Sequence, residues 1–171
     1  MVGRYRLDSD RCEVAFRTRH LFGLDGVAGT MRLTSGEIFY EPALPQASVA
    51  AAVSASSFSS GNDRRDGDVW SAKFLHADAY PEFTFQAADL DQAPGRWTLS
   101  GELTVRSMSQ PVTLTIESVE RPRDGFQARA TTRIDRYAFG VKTARGMASR
   151  FLDVSVIVTA VSRGTTPDLV S

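Results

Sequence analysis

Apolar and polar residues alternate with a period of two along most of the chain, which is the pattern of strands with one buried face. The clearest run is RWTLSGELTVR at 96–106, and its apolar face consists of Trp97, Leu99, Gly101, Leu103 and Val105. The same alternation occurs at 13–20, 26–36, 111–117, 125–134 and 153–161. The segment 47–57 is rich in alanine, which favours helix, but its alternating valines and serines predict a further strand.

Turn sequences separate these runs, so the chain is predicted to be all-β, with about eight antiparallel strands and one short capping helix. The apolar face mixes aromatic residues with very small ones, and this favours a closed barrel over a sandwich. The small residues are Gly29, Gly101, Ala128 and Ala130. They leave room for a ligand inside the barrel. The alternative is that small and large side chains alternate only to fit a tapered, filled interior.

One segment departs from the strand pattern, and it predicts the capping helix. In NDRRDGDVWSAKF at 62–74, Asn62 or Asp63 can cap a helix start, and Trp70 and Phe74 are four residues apart. Pro81 marks the return to an extended strand at EFTFQA. We expect Trp70 and Phe74 to face the barrel interior, so that the helix is either a plug or a lid over a cavity.

Length and charge restrict the classes of function. The 171 residues correspond to one domain, 1–171, with a core at about 4–162 and a frayed tail at 163–171. Twenty basic and twenty acidic residues give no net charge, which argues against a nucleic acid partner. There is no run of about 18 apolar residues for a transmembrane segment and no secretory signal pattern, so a cytoplasmic location is predicted.

Few residues offer recognisable chemistry. Cys12 is the only cysteine and there are two histidines, so neither a metal site nor a cofactor is expected. His20 lies at a strand end, at a position whose side chain is expected to point inward. It is a candidate general base or ligand contact, and the alternative is a hydrogen-bonded core residue. Arg65, Asp66 and Asp68 are candidates for contact with a ligand head group at a cavity mouth. Alternatively, these residues are solvated charges on the helix surface, or an Arg–Asp pair among them holds the helix to the rim of the barrel.

Four blocks of the chain resemble the YceI-like family of polyisoprenoid-binding proteins, and the resemblance covers about residues 4–162. They are YRLDSDRCEVAFRTRHLFGLDGVAGTM, RRDGDVWSAKFLHADAYPEFTF, SGELTVRSMSQPVTLTIE and TRIDRYAFGV. The second resembles a family segment with the pattern RD-x-H-L-x-S-x-x-F, followed by YP-x-x-x-F. Arg65, Asp66, Ser71 and Phe74 fall in register with it, whereas Asp68 and Val69 stand where the family usually has histidine and leucine.

The resemblance implies a lipocalin-like barrel that binds a long-chain isoprenoid or another amphiphilic lipid without covalent chemistry. A strand of ten residues spans about 33 Å, or about 25 Å along a tilted barrel axis, which suits such a chain. The predicted ligand-binding residues are Phe16, His20, Arg65, Asp66, Trp70, Ser71, Phe74, Phe83, Phe85, Trp97, Leu99, Leu103 and Phe139.

Two other functions stay open from the sequence. The first is an enzyme that acts on such a lipid, with His20 as acid or base. The second is an interaction module with a filled barrel, a possible homodimer with the outward residues Ala50 and Ala52 at its interface.

Overall fold

Ten antiparallel strands and one α-helix lie within the residues that the computed structural model describes, which are 3–18, 26–41, 43, 46–144 and 149–163. The first five strands are β1 (Gly3–Leu7), β2 (Glu13–Thr18), β3 (Ala28–Met31), β4 (Leu33–Glu41) and β5 (Gln46–Ser54). Helix α1 (Asp63–Trp70) follows, and then β6 (Glu82–Ala93), β7 (Arg96–Val105), β8 (Met108–Glu120), β9 (Gly125–Asp135) and β10 (Phe151–Ser162). Short 3₁₀ turns lie at Ser9–Arg11, Ala55–Ser57 and Arg136–Phe139.

The strands close into a barrel with eight strand positions. From β4 to β10 each strand pairs with its successor in the chain, and β10 also pairs with both β1 and β2. β1 and β2 lie end to end along β10, and β3 and β4 lie end to end beside them. Each of these two pairs occupies one strand position of the barrel, so the ten strands fill eight positions. The prediction of an antiparallel, lipocalin-like barrel of about eight strands with one short helix is therefore confirmed.

The antiparallel pairing gives the barrel two different ends. At one, which we call the helix end, lie the segment 55–81 with α1, the turn at 106–107 and the described residues 136–144 and 149–150. At the other, the turn end, lie the connections at 94–95 and 121–124. Among the described residues, the connections of the turn end are tight turns and none of them is a helix.

Two compact apolar clusters pack the wall of the barrel on one side. Leu7, Cys12, Leu33 and Ala160 form the first, around the interruption between β1 and β2. The backbone N–H of Thr159 donates a hydrogen bond to Cys12 Sγ over 3.3 Å, and burial raises the pKa of the Cys12 thiol. The second cluster consists of Phe16, Met31 and Phe58.

Two expectations about the barrel surface need correction. Ala50 is exposed, but Ala52, predicted to face outward at a dimer interface, is only 8% exposed and is not available for contact. Arg163, the first residue of the predicted frayed tail, is still bound to the barrel. Its N–H donates to the Arg4 carbonyl over 2.9 Å, and its guanidinium pairs with Glu37 at 2.8 Å. The rest of the tail, 164–171, lies outside the described residues.

In the part of the chain that the structure describes, none of the helices has the length and apolar character needed to span a membrane.

Candidate ligand-binding cavity

The barrel is hollow. A cavity of about 800 Å³ runs through its interior and is lined by side chains from all ten strands and from α1. Inward residues such as Leu103, Val112, Leu114 and Ile116 are only half-buried, because their inner surfaces border empty space. This volume lies in the upper part of the range for small-molecule sites, which is about 300–1,000 Å³.

The strand parity predicted from the sequence places most of the candidate residues on this cavity. The lining includes Phe16, Arg65, Phe74, Phe83, Phe85, Trp97, Leu99, Leu103 and Phe139. Most belong to strands β2, β6 and β7, where one face of the sheet is apolar. The structure brings these side chains together around one space, and ligand contact by each of them stays a prediction.

The small residues of the apolar face fall into two groups. Ala128 and Ala130 on β9 line the cavity and leave it wide there. The glycines instead admit close neighbours. A Cβ at Gly101 would lie 2.6 Å from Cβ of Ala87, and one at Gly29 would collide with the Phe16 ring. The prediction of room for a ligand therefore holds at the two alanines and not at the glycines.

Helix α1 begins as predicted but faces the barrel differently. Asn62 caps it by accepting a hydrogen bond from the Arg65 N–H over 2.9 Å. The helix ends at Trp70, so Trp70 and Phe74 do not share a helical face, and Trp70 is 40% exposed outside the cavity lining. Its indole N–H donates to the Phe58 carbonyl over 3.2 Å, and this bond turns the ring away from the interior. The prediction that Trp70 faces inward is therefore wrong.

The Asp66 side chain, one helical turn before Trp70, also points away from the cavity, and it is buried against residues 58–60. It is 5% exposed, and its carboxylate accepts hydrogen bonds from the N–H and the hydroxyl of Ser60, at 3.0 and 2.6 Å. Asp66 and Trp70 thus fasten one face of α1 to residues 58–60. The opposite face, with Arg65, Asp68 and Val69, is the one that borders the cavity. Asp66 therefore lies away from the cavity lining, and ligand contact by it stays a prediction.

Ser71 is a further candidate that lies away from the cavity lining. Ser71 is the C-cap of α1, and its hydroxyl donates to the Asp68 carbonyl over 2.6 Å. This contact is local to the end of the helix, and ligand contact by Ser71 stays a prediction. His20 lies outside the described residues.

Two arginines, one through hydrogen bonds to backbone carbonyls and one through an ion pair, hold the chain on both sides of residues 136–144 at the helix end. Arg136 is buried, and its guanidinium donates to the carbonyls of Ser149, Val141 and Thr143 at 2.7–2.8 Å. Burial lowers the pKa of Arg136. Next to it, Asp135 forms a two-bond pair with Arg150 at 2.7 and 3.0 Å, and the Arg150 hydrogen bonds lower the pKa of Asp135.

The turn end carries polar residues that the sequence did not single out. Tyr40 and Arg121 both line the cavity there, with the guanidinium carbon of Arg121 5.9 Å from the centre of the Tyr40 ring. Gln92 Nε2 donates to the Tyr40 hydroxyl over 3.4 Å. β-bulges at 33–35 and 116–118 change the strand parity before Tyr40 and Arg121, so simple alternation does not place them inward.

The cavity offers burial for an apolar chain and charge only near its ends. Among the described lining residues, the charged ones are Arg65, Asp68, Arg121 and Arg136. No group of three or more His, Cys, Asp or Glu side chains lies together in those parts of the chain that are described.

Comparison with known proteins agrees with this architecture. The model of the YceI-like domain family matches residues 5–161. The chain is 27% identical to Protein YceI of Shigella flexneri and to Protein YceI of an Escherichia coli O6:H1 strain. Each match covers 93% of this chain and 87% of the relative.

Solved structures with the same fold are more distant in sequence. Burkholderia cenocepacia BcnA superposes with a TM-score of 0.79 at 18% identity, covering 89% of this chain and 98% of BcnA. A polyisoprenoid binding domain from Saccharophagus degradans, implicated in plant cell wall breakdown, has a TM-score of 0.64 at 14% identity. That match covers 95% of this chain and 100% of the domain.

Proposed function

Because this chain belongs to the YceI-like domain family, we propose that it binds a long-chain isoprenoid or another amphiphilic lipid inside its barrel and carries or sequesters it unchanged. The observation that carries the proposal is the cavity of about 800 Å³ with its almost entirely apolar lining. The polyisoprenoid binding domain of S. degradans, which has the same fold, supports this class of ligand.

Burial of the apolar chain supplies the affinity. Each buried methylene contributes about 0.8 kcal/mol, so about twenty of them contribute about 16 kcal/mol, from which the cost of association, about 4 kcal/mol or more, is subtracted. Micromolar binding corresponds to about 8 kcal/mol. The aromatic residues Phe16, Phe83, Phe85 and Trp97, with Leu99 and Leu103, offer the contact surface. Binding of this kind needs no reactive group.

The other two hypotheses from the sequence stay predictions. Catalysis would rest on His20, which lies outside the described residues. A dimeric module would rest on Ala50 without Ala52, since Ala52 is buried. The cytoplasmic location likewise stays a prediction.

Mass spectrometry of an organic extract of the natively purified protein tests the proposal. The sharpest comparison uses two neighbours on β9, since Ala130 lines the cavity and Arg129 is exposed on the outer face. We expect Ala130→Phe to carry at least about tenfold less lipid, because the ring fills space that the lipid needs, whereas Arg129→Phe retains it.

Thermal unfolding and circular dichroism show whether Ala130→Phe still folds, and Ala128→Phe is the second filling variant. The proposal is wrong if the folded wild type yields no lipid and also binds no added geranylgeraniol. It is also wrong if the filled variants carry as much lipid as the wild type.

A further inference from the structure

We propose that the cavity receives its lipid with an anionic head group, a phosphate or carboxylate, at the turn end between Tyr40 and Arg121, and with the apolar tail directed toward the helix end. This rests on the proposed function and adds to it the charge of the ligand and its direction in the barrel.

The arginines of the cavity differ in the hydrogen bonds and ion pairs that they form within the protein. Arg136 donates to three backbone carbonyls, so its hydrogen-bonding capacity is used within the protein. Arg65 lies on α1 one turn before Asp68, which also lines the cavity, and its Nη1 is 3.4 Å from the Ser60 hydroxyl. Arg121 forms no ion pair with any carboxylate in the described segments. It is therefore the cavity arginine with the most capacity for an anion.

Tyr40 provides a second donor at the same place. Its hydroxyl accepts a hydrogen bond from Gln92, and within the described chain it donates to no acceptor. Its O–H is thus available to a ligand oxygen. A guanidinium over the ring of a tyrosine whose hydroxyl can donate suits a phosphate or carboxylate, because both groups are donors and charge-assisted hydrogen bonds are the stronger kind.

The helix end is less suited to an anion. Asp68 is the only acidic residue among the described residues of the lining, and it lies beside Arg65 on the inner face of α1. An anionic head group there would meet a carboxylate as well as an arginine. At the turn end, the acidic strand residues Asp91 and Glu120 are exposed and Glu41, next to Tyr40, is half-buried, and none of the three borders the cavity. Among the described residues, no carboxylate of the lining lies at the turn end, so an anionic head group there meets an arginine without a competing acid, and this favours the turn end.

Calorimetric titration of the delipidated full chain with geranylgeranyl phosphate and with geranylgeraniol tests the charge. We expect the phosphate to bind about tenfold or more tightly than the alcohol. Arg121→Gln should remove this preference while leaving the affinity for the alcohol unchanged. Tyr40→Phe should weaken phosphate binding by about threefold to tenfold. Arg123→Gln removes the same charge from an exposed position of the same turn that does not border the cavity, and it should leave the preference intact. Arg65→Gln tests the opposite placement, with the head group at the helix end.

A brominated fatty acid tests the direction, because bromine quenches tryptophan fluorescence at short range. Trp97 lines the cavity beside Gln92, and Trp70→Phe leaves it as the sole tryptophan. We expect stronger quenching by a hexadecanoate brominated beside its carboxylate than by one brominated at its terminal carbon.

The outcomes separate the two proposals. If neither geranylgeranyl phosphate nor geranylgeraniol binds, the proposed function fails, and this inference fails with it. If both bind equally, if Arg65→Gln rather than Arg121→Gln removes the preference, or if the terminal bromine quenches more, only the head-group assignment is overturned. Circular dichroism confirms that each variant is folded.

Discussion

Asp135 and Arg136 are adjacent in sequence but do different work at the end of β9. The Arg136 side chain turns inward and donates hydrogen bonds to three backbone carbonyls of the following segment. Asp135 pairs with Arg150 across the same segment, and its carboxylate also accepts from the Tyr137 N–H at 3.0 Å. The segment that borders the helix end is thus held by side chains at both of its ends.

The lowered pKa of Asp135 predicts a pH dependence of stability. A carboxyl whose pKa is lower in the folded protein than in the unfolded chain stabilises the fold above its unfolded pKa, near 3.8. That stability is lost as the pH falls through the lower, folded pKa. In Arg150→Gln the main cause of the shift is absent. We therefore expect the variant to be less stable than the wild type at neutral pH, with a difference that shrinks as the pH falls below 3.8.

Urea unfolding across a pH series measures this difference, and carbon NMR of the Asp135 carboxyl measures its pKa directly. Lys142→Gln is the matched control, because it removes one exposed positive charge from the same segment without breaking an ion pair in the described structure. A wild-type advantage over Arg150→Gln that persists unchanged at the lowest pH would contradict the assignment.

Helix α1 shows at the scale of one element how tertiary bonds override a local pattern. The spacing of Trp70 and Phe74 predicted their common face, but the helix ends at Trp70. The Ser60 and Phe58 partners then select the outward face. The two partners lie in the preceding extended segment, so nothing in the helical sequence alone indicates them. Asn62 was predictable, because an N-cap depends only on its own few residues.

The strands show the same division between local and distant causes. Parity correctly placed Phe16, Trp97 and Leu103 inside, because one buried face fixes the alternation over an uninterrupted strand. It fails beyond each β-bulge, where one extra residue exchanges the two faces. Tyr40 and Arg121 lie beyond such bulges. The alternation pattern therefore does not predict that these polar side chains face inward, although it does predict this for the aromatic residues.

The Asp66 anchor predicts a loss of stability when it is removed. Asp66→Ala leaves the half-buried Ser60 N–H and hydroxyl without their acceptor, which costs about 1–3 kcal/mol in the free energy of unfolding. Asp63→Ala removes an equal charge from the same first turn of α1 at an exposed position, and we expect a loss of about 0.5 kcal/mol or less. Chemical denaturation of both variants measures the difference. Equal losses would show that helix charge matters and the Ser60 contact does not.

The whole barrel is a wall without a filled centre, and its two ends differ in construction. The compact clusters lie on one side, around Cys12 and around Phe16, while much of the remaining apolar surface faces the cavity. Dispersion contacts are lost wherever a side chain borders empty space. A bound lipid would restore these contacts, so the packing of the interior and the binding of the ligand are coupled in this fold.

This coupling predicts that removal of the lipid lowers thermal stability. A ligand that binds only the folded state at about one hundred times its Kd adds about 2.7 kcal/mol, which for a chain of this size raises Tm by about 5–10 °C. We expect protein that has been unfolded, extracted with solvent and refolded to melt lower by this amount, and to recover when geranylgeraniol is added.

Ala130→Phe separates this effect from damage during refolding. Because its added ring occupies the cavity, its Tm should change little on extraction and on addition of geranylgeraniol, whereas Arg129→Phe should follow the wild type. If the filled variant gained as much stability from the lipid as the wild type does, the lipid would bind outside the barrel. The hollow interior would then have another use.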